Sequence, residues 1–225
     1  MSVTEKIIRL KKSLPPQVTL VAVSKTHPEA LIREAYDAGQ RIFGENRPQE
    51  MTDKYRALPK DIRWHFIGNL QTNKVKYIAP YVSLIQSADS PRLLETIDRE
   101  ARKNGRTIDV LLEIRIAQEA TKHGWDENEL ETYLESGRNN ELKNVRFRGL
   151  MGMASFTEDR KRVRSEFLRL RGLFDRLRTG CFAGEPAFDT LSMGMSGDWE
   201  LAVECGSTMV RIGSTIFGER DYGLK

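Results

Sequence analysis

Short apolar runs rich in β-branched residues alternate with amphipathic segments along most of the chain, and this alternation constrains the fold more than any single motif. The run Val18-Thr19-Leu20-Val21-Ala22-Val23 reads as a buried strand, and the segment after it carries Leu31, Ala35 and Ala38 before a stop at Gly39. The same order of strand, turn and helix then recurs. Strands are expected at 41–43, 63–67, 82–86, 109–116, 146–151, 190–193 and 209–212. Helices are expected from about 48 to 57, from about 72, through Leu93, Ile97 and Ala101, from 126 to about 137, across the Arg-rich stretch 160–178, and up to Cys205. An additional helix with Val3, Ile7 and Leu10 on one face precedes the first strand and ends before Pro15-Pro16.

About eight such alternations argue for a parallel sheet with helices outside it. Eight strand–helix units can close into a (β/α)8 TIM barrel, and 225 residues would make a compact one. A doubly wound open sheet is the competing arrangement. Its glycine-rich fingerprint should follow the first strand, where this chain has Ser24-Lys25-Thr26. The sequence has no evident linker, low-complexity segment or short repeat, so one domain over residues 1–225 is expected.

The net charge of +4 raises the question of nucleic acid. Much of it lies between Arg160 and Arg178, where Val163, Phe167, Leu170, Phe174 and Leu177 form a single apolar stripe. That is the pattern of a helix resting on a core with a solvated outer face, without the interleaved aromatics of a stacking platform. No run of about 18 apolar residues is present, and the first residues lack the apolar stretch of a signal peptide. With two cysteines at unrelated positions, Cys181 and Cys205, a reducing cytoplasm is the expected compartment. No His/Cys/Asp cluster has metal-binding spacing.

In a (β/α)8 barrel the chemistry collects where strands end. Those positions carry Ser24, Lys25 and Thr26; Gly44, Glu45 and Asn46; His65, Gly68 and Asn69; Met151 and Met153; Ser192, Met193 and Ser196; and Arg211, Gly213 and Ser214. Lys25 follows an apolar strand directly. Desolvation there would lower its pKa and make the amine a nucleophile toward a carbonyl, unless it merely reaches out to solvent. Gly213, Ser214 and Thr215 resemble an anion-binding turn, as does Ser192-Met193-Gly194-Met195-Ser196-Gly197, and both fall after the last two strands, where barrels often bind phosphate. Ordinary Gly/Ser turns would look the same. Arg211 would project toward the barrel mouth and donate to a ring nitrogen or phosphate, or else pair with Glu204 or Glu219. His65 alternates with apolar residues and could face a cofactor or sit satisfied in the core, whereas His27 and His123 are expected in turns facing solvent.

Several blocks together resemble one family. Val21-Ala22-Val23-Ser24-Lys25-Thr26, Phe43-Gly44-Glu45-Asn46 with Gln49-Glu50, and Trp64-His65-Phe66-Ile67-Gly68 are similar to segments of the pyridoxal phosphate homeostasis protein family. So are Leu70-Gln71-Thr72-Asn73-Lys74, Gly149-Leu150-Met151, Leu191-Ser192-Met193-Gly194-Met195-Ser196 and Gly206-Ser207-Thr208-Met209-Val210-Arg211-Ile212-Gly213. The resemblance implies a barrel like the alanine racemase N-terminal domain (PLP fold type III), with pyridoxal 5′-phosphate (PLP) held as a Schiff base on Lys25. It implies that Ser196, Gly213 and Ser214 hold the phosphate, that Arg211 lies near the pyridine nitrogen, and that Asn46, His65 and Met193 border the cofactor. It also implies a protein that buffers PLP or delivers it to apo-enzymes, affects amino-acid and keto-acid balance, and has no established turnover; a monomer is expected because the sequence has no evident self-association segment.

The rival reading is a fold-type III PLP enzyme such as an amino-acid racemase. Those enzymes complete their site with a second domain, and about a dozen residues follow the last strand here, which favours a binding protein. Arg47, Asn69 and Arg115 depart from the family pattern, and the two arginines could add positive charge near the site.

Overall fold

The computed structural model describes residues 1–117 and 123–219. All eight expected strands form: β1 (Thr19–Val23), β2 (Ile42–Glu45), β3 (Arg63–Phe66), β4 (Leu84–Ala88), β5 (Ile108–Ile114), β6 (Val145–Gly152), β7 (Thr190–Ser192) and β8 (Met209–Ile212). Each pairs in parallel with its successor, and β8 pairs with β1, which closes the barrel.

The helices are α1 (Val3–Ser13), α2 (Glu29–Asp37), α3 (Pro48–Ala57), α4 (Val75–Ile78), α5 (Pro91–Lys103), α6 (Glu127–Glu135), α7 (Arg160–Thr179), α8 (Trp199–Glu204) and α9 (Ser214–Phe217). Their starts are written in side chains that satisfy the first amides. Ser2 with Glu5, and Asp126 with Glu129, form capping boxes, and Ser90 caps α5 ahead of Pro91. The helix expected from residue 72 is instead a 3-10 turn, Thr72–Lys74, continued by the short α4. Pro80, just beyond it, cannot extend the helix.

Period-two alternation sorts the strand residues into two cores. Leu20, Ala22, Phe43, Trp64, Phe66, Val110, Leu112, Leu150, Leu191, Val210 and Ile212 face outward and join the helices in the main hydrophobic core. Val21, Ile42, Leu84, Leu111, Met151 and Met209 form a separate cluster inside the barrel. The stripe on α7 is buried as its spacing predicts. Its arginines reach neighbouring helices: Arg169 and Arg176 pair with Glu127, Arg176 also with Glu131, and Arg164 with Glu204. The basic stretch is thus an ion-paired outer face. No helix among the described residues is long and apolar enough to cross a membrane.

Gly149 sits where the β5–β6 register shifts, with φ +143°, and a Cβ there would lie 1.8 Å from the Thr190 carbonyl oxygen. Gly105 also has positive φ (+62°) but open space around it. Gly105→Ala should therefore cost about 1 kcal/mol, the backbone penalty alone. Gly149→Ala should cost more than about 3 kcal/mol, because the strand pair must also separate. Urea unfolding of both variants tests this, and equal losses would contradict the steric account.

Candidate functional site

At the C-terminal end of the barrel the strand-to-helix connections surround a cavity of about 460 Å³. Lys25 enters from the end of β1, Ile67 from beyond β3, Met153, Ser155 and Phe156 from beyond β6, Met195 to Asp198 from beyond β7, and Arg211, Gly213 and Ser214 from β8 and its turn. Five residues expected from the sequence thus meet in one place: Lys25, Ser196, Arg211, Gly213 and Ser214. Closure makes this possible, because Val21 lies beside Arg211 in the β1–β8 register.

Gly213 is packed against β1, where a Cβ would come within 3.2 Å of the Val23 carbonyl oxygen. Its N–H donates to Ser196 Oγ at 3.2 Å, which ties the turn after β7 to the turn after β8. Hydroxyls and backbone amides therefore converge at this corner of the cavity, a suitable donor set for an anion. Asp198 also borders it; its carboxylate accepts from the Met195 N–H at 2.6 Å, and burial pushes its pKa up despite the nearby Arg211 charge.

Arg211 is 4% exposed and crosses the barrel interior. Its Nη1 donates to the Ser192 carbonyl oxygen and to Ser192 Oγ, and its Nη2 donates to the Gly152 carbonyl oxygen, at 2.7–3.0 Å. These bonds engage three of the five guanidinium N–H groups and leave two for a ligand or water. Burial lowers the Arg211 pKa to about 10, so it remains a cation at neutral pH. Neither carboxylate considered from the sequence pairs with it, and Glu204 pairs with Arg164.

Strand geometry places the other expected residues outside this cavity wall. Met193 follows Ser192, which faces inward, so its side chain points outward into the main core and is fully buried there. Met195 takes the cavity position. His65 does face into the barrel, but it lines a second cavity, about 340 Å³, at the N-terminal mouth beside Thr19, Leu84 and Met209. Ile67, two residues on, occupies the upper level. Asn46 is not in the cavity wall; its Oδ1 is buried without a hydrogen-bond partner, and Gly68 packs against it so closely that a Cβ would approach within 2.6 Å. His27 is buried, 8% exposed, against Phe217 of α9 at 5.1 Å between ring centroids. His123 is exposed as expected. Arg47 lines an outer groove and Arg115 lies 3.8 Å from Asp126, so neither enters the cavity wall.

Sequence reasoning missed a buried polar column. Ser192 Oγ donates to Gln86 Oε1 at 2.7 Å, and the Gln86 amide then donates to His65 Nδ1 at 3.0 Å, which places the ring proton on Nε2. Burial, helped by the Arg63 charge, lowers the His65 pKa to about 3 and keeps the ring neutral. Gln86 carries no motif, Ser192 stood out only as the start of a turn, and only the closed barrel makes them neighbours. Glu113 was missed as well. It faces inward from β5, 5% exposed, and burial together with the Asp89 charge pushes its pKa up to about 7 against the pull of Arg211.

The chain matches the family described as alanine racemase, N-terminal domain, over residues 2–221. The fold and its mouth therefore define an alanine racemase-type (β/α)8 barrel. Among curated relatives, the pyridoxal phosphate homeostasis protein of Aquifex aeolicus (strain VF5) is 45% identical over 204 residues, covering 90% of this chain and 87% of the relative. That of Escherichia coli (strain K12) is 39% identical over 215 residues, covering 94% and 89%. The chain belongs to the pyridoxal phosphate homeostasis protein family. Among solved structures, PipY of Synechococcus elongatus PCC7942 with PLP bound superposes with a TM-score of 0.87 at 39% identity, covering 96% of this chain and 100% of PipY. The alanine racemase of Bartonella henselae, with covalently bound pyridoxal phosphate, shares the fold with a TM-score of 0.72 at 15% identity, and the match spans 60% of it.

The raised pKa of Glu113 has a consequence for stability. Its carboxyl favours the folded state fully only below its ordinary pKa of 4.5, and that contribution is lost as pH rises through about 7. Glu113→Gln should thus gain stability relative to wild type by about 2 kcal/mol between pH 5 and pH 9 in the ligand-free protein. Urea midpoints at the two pH values measure it; a constant difference would show that Glu113 does not titrate in this range.

Proposed function

We propose that this protein carries PLP covalently on Lys25 and acts in PLP homeostasis, buffering the cofactor or delivering it to apo-enzymes. One observation carries the reading: the barrel brings an amine, a buried guanidinium and a hydroxyl-and-amide corner to a single cavity. That donor set fits an aromatic aldehyde bearing a phosphate. Ser196, Gly213 and Ser214 would hold the phosphate, Lys25 would form the Schiff base, and the open N–H groups of Arg211 would address the ring nitrogen. PipY, similar over nearly the whole chain, has been solved with PLP bound, which supports the assignment.

Bound PLP supplies an electrophilic carbonyl and an electron-withdrawing ring. A permanent cation opposite the ring nitrogen opposes its protonation and so weakens the ring as an electron sink. Besides Arg211, the titratable side chains in the cavity wall are Lys25 and Asp198, and no histidine, tyrosine or cysteine lines it among the described residues. That composition supports holding the cofactor over racemising an amino acid, which needs a proton donor and acceptor on opposite faces. Action as a single-domain monomer in the reducing cytoplasm belongs to the same proposal, supported there by the free thiols of Cys181 and Cys205.

Purified protein should show the absorbance of a lysine Schiff base, and Lys25→Ala should abolish it. Reduction with borohydride followed by peptide mass analysis should place the phosphopyridoxyl group on Lys25. Absorbance that survives the substitution would sink the assignment. Racemisation, decarboxylation and transamination assays should stay below about 1 turnover per second. PLP should pass to an apo-enzyme while a trap removes free cofactor, and failure of that transfer would leave buffering alone.

A further inference from the structure

The segment that presents Lys25 is held from behind by a buried ion cluster. Lys54, on α3, is 4% exposed and lies outside the barrel wall. Its ammonium donates to the Ser24 carbonyl oxygen at 2.8 Å, to Glu45 Oε1 at 2.8 Å and to Glu50 Oε1 at 2.7 Å. All three of its N–H donors are thereby engaged. Glu45, fully buried at the end of β2, also accepts from Ser24 Oγ at 2.6 Å. Glu50 also accepts from the Thr26 N–H at 2.6 Å. The residues on both sides of Lys25 are therefore fixed by one cluster, Ser24 by Lys54 and Glu45, and Thr26 by Glu50.

Backbone conformation points the same way. Thr26 has φ +68°, the left-handed region, and it is the one non-glycine residue there among the described residues. A β-branched residue in that region is strained by about 1–3 kcal/mol, and it persists because the bonds around it over-determine it. The kink separates neighbours sharply: Lys25 lines the inner cavity, while Thr26 lines the outer groove with Glu50 and Lys54.

Energetics argue against a purely stabilising role. Burying an ammonium and a carboxylate costs several kcal/mol per ion, and apolar residues of similar volume often do as well or better. A desolvated cluster is nevertheless built around the turn that carries the cavity's amine. We propose that Lys54, acting through Glu45 and Glu50, is a positioning residue that sets the direction and reach of the Lys25 amine toward the carbonyl it attacks. This rests on the reading of Lys25 as the PLP-bearing residue.

The test compares Lys54→Met, Glu50→Ala and Glu50→Gln with wild type and Lys25→Ala, all stripped of cofactor and confirmed folded by circular dichroism. Two ligands are used: PLP, and pyridoxamine 5′-phosphate, which keeps the ring and phosphate but lacks the aldehyde. Lys54→Met and Glu50→Ala should form the Schiff-base absorbance with PLP about tenfold more slowly or worse, since small misplacements of a reacting group cost this much. Glu50→Gln keeps an acceptor for the Thr26 N–H and should load close to the wild-type rate. Binding of pyridoxamine 5′-phosphate should be unchanged in the Lys54 and Glu50 variants, which a general loss of structure would not allow. If Lys54→Met does not fold, the Glu50 pair, on a partly exposed side chain, decides. Wild-type loading rates in Lys54→Met and Glu50→Ala, with loading abolished in Lys25→Ala, would overturn the positioning role alone. Absorbance retained in Lys25→Ala would overturn the covalent assignment and this inference together.

Discussion

Hydrogen bonding between β1 and β8 is the interaction on which the rest of the structure depends. It joins the first strand to the last, with Thr19 beside Met209 and Ala22 beside Ile212. Without it, Lys25 and the turn containing Gly213 would lie on opposite edges of an open sheet. With it, the amine at one end of the sequence and the guanidinium and the Gly213 turn at the other share a wall. The barrel also has no unpaired edge, so every strand places alternate residues into an enclosed interior. Long-range pairing of this kind is costly in chain entropy, and the apolar outer faces of the strands against the helices offset that cost.

Much of this was legible in the sequence because its physical signals are local. Apolar runs with β-branched residues marked the strands, the spacing of apolar residues such as Leu93, Ile97 and Ala101 marked the helices, and Lys25 was placed by the end of the run before it. Ser196, Gly213 and Ser214 were readable because turn chemistry is written in residue type. The misplacements arise where a one-residue phase or a level along the barrel matters. Met193 and Ser192 differ only in which side of the strand they occupy, and His65 differs from Ile67 only in depth. His27 illustrates a third limit: its burial depends on Phe217, which nothing in the surrounding sequence announces.

Gln86, Glu113 and Lys54, and the partners of Ser192, lay beyond sequence reasoning for a related reason. Each is an ordinary polar residue whose role comes from partners on other strands or helices. Lys54 in isolation is a helix-surface lysine, and only packing against the ends of β1 and β2 makes it a desolvated ammonium with three acceptors. A burial pattern can be inferred from periodicity, whereas a network of donors and acceptors requires the register of the whole sheet.

The column of His65, Gln86, Ser192 and Arg211 runs from the N-terminal mouth to the floor of the cofactor-sized cavity. Each member both orients and is oriented by the next, so none has an independent substitution cost, and effects along it will be strongly non-additive. The consequence is evolutionary. Along a lineage, these four positions should change in concert or remain fixed, even though His65 lines the N-terminal cavity and not the one around Lys25. A designer wishing to replace Arg211 must therefore recompose the barrel interior through to its opposite opening.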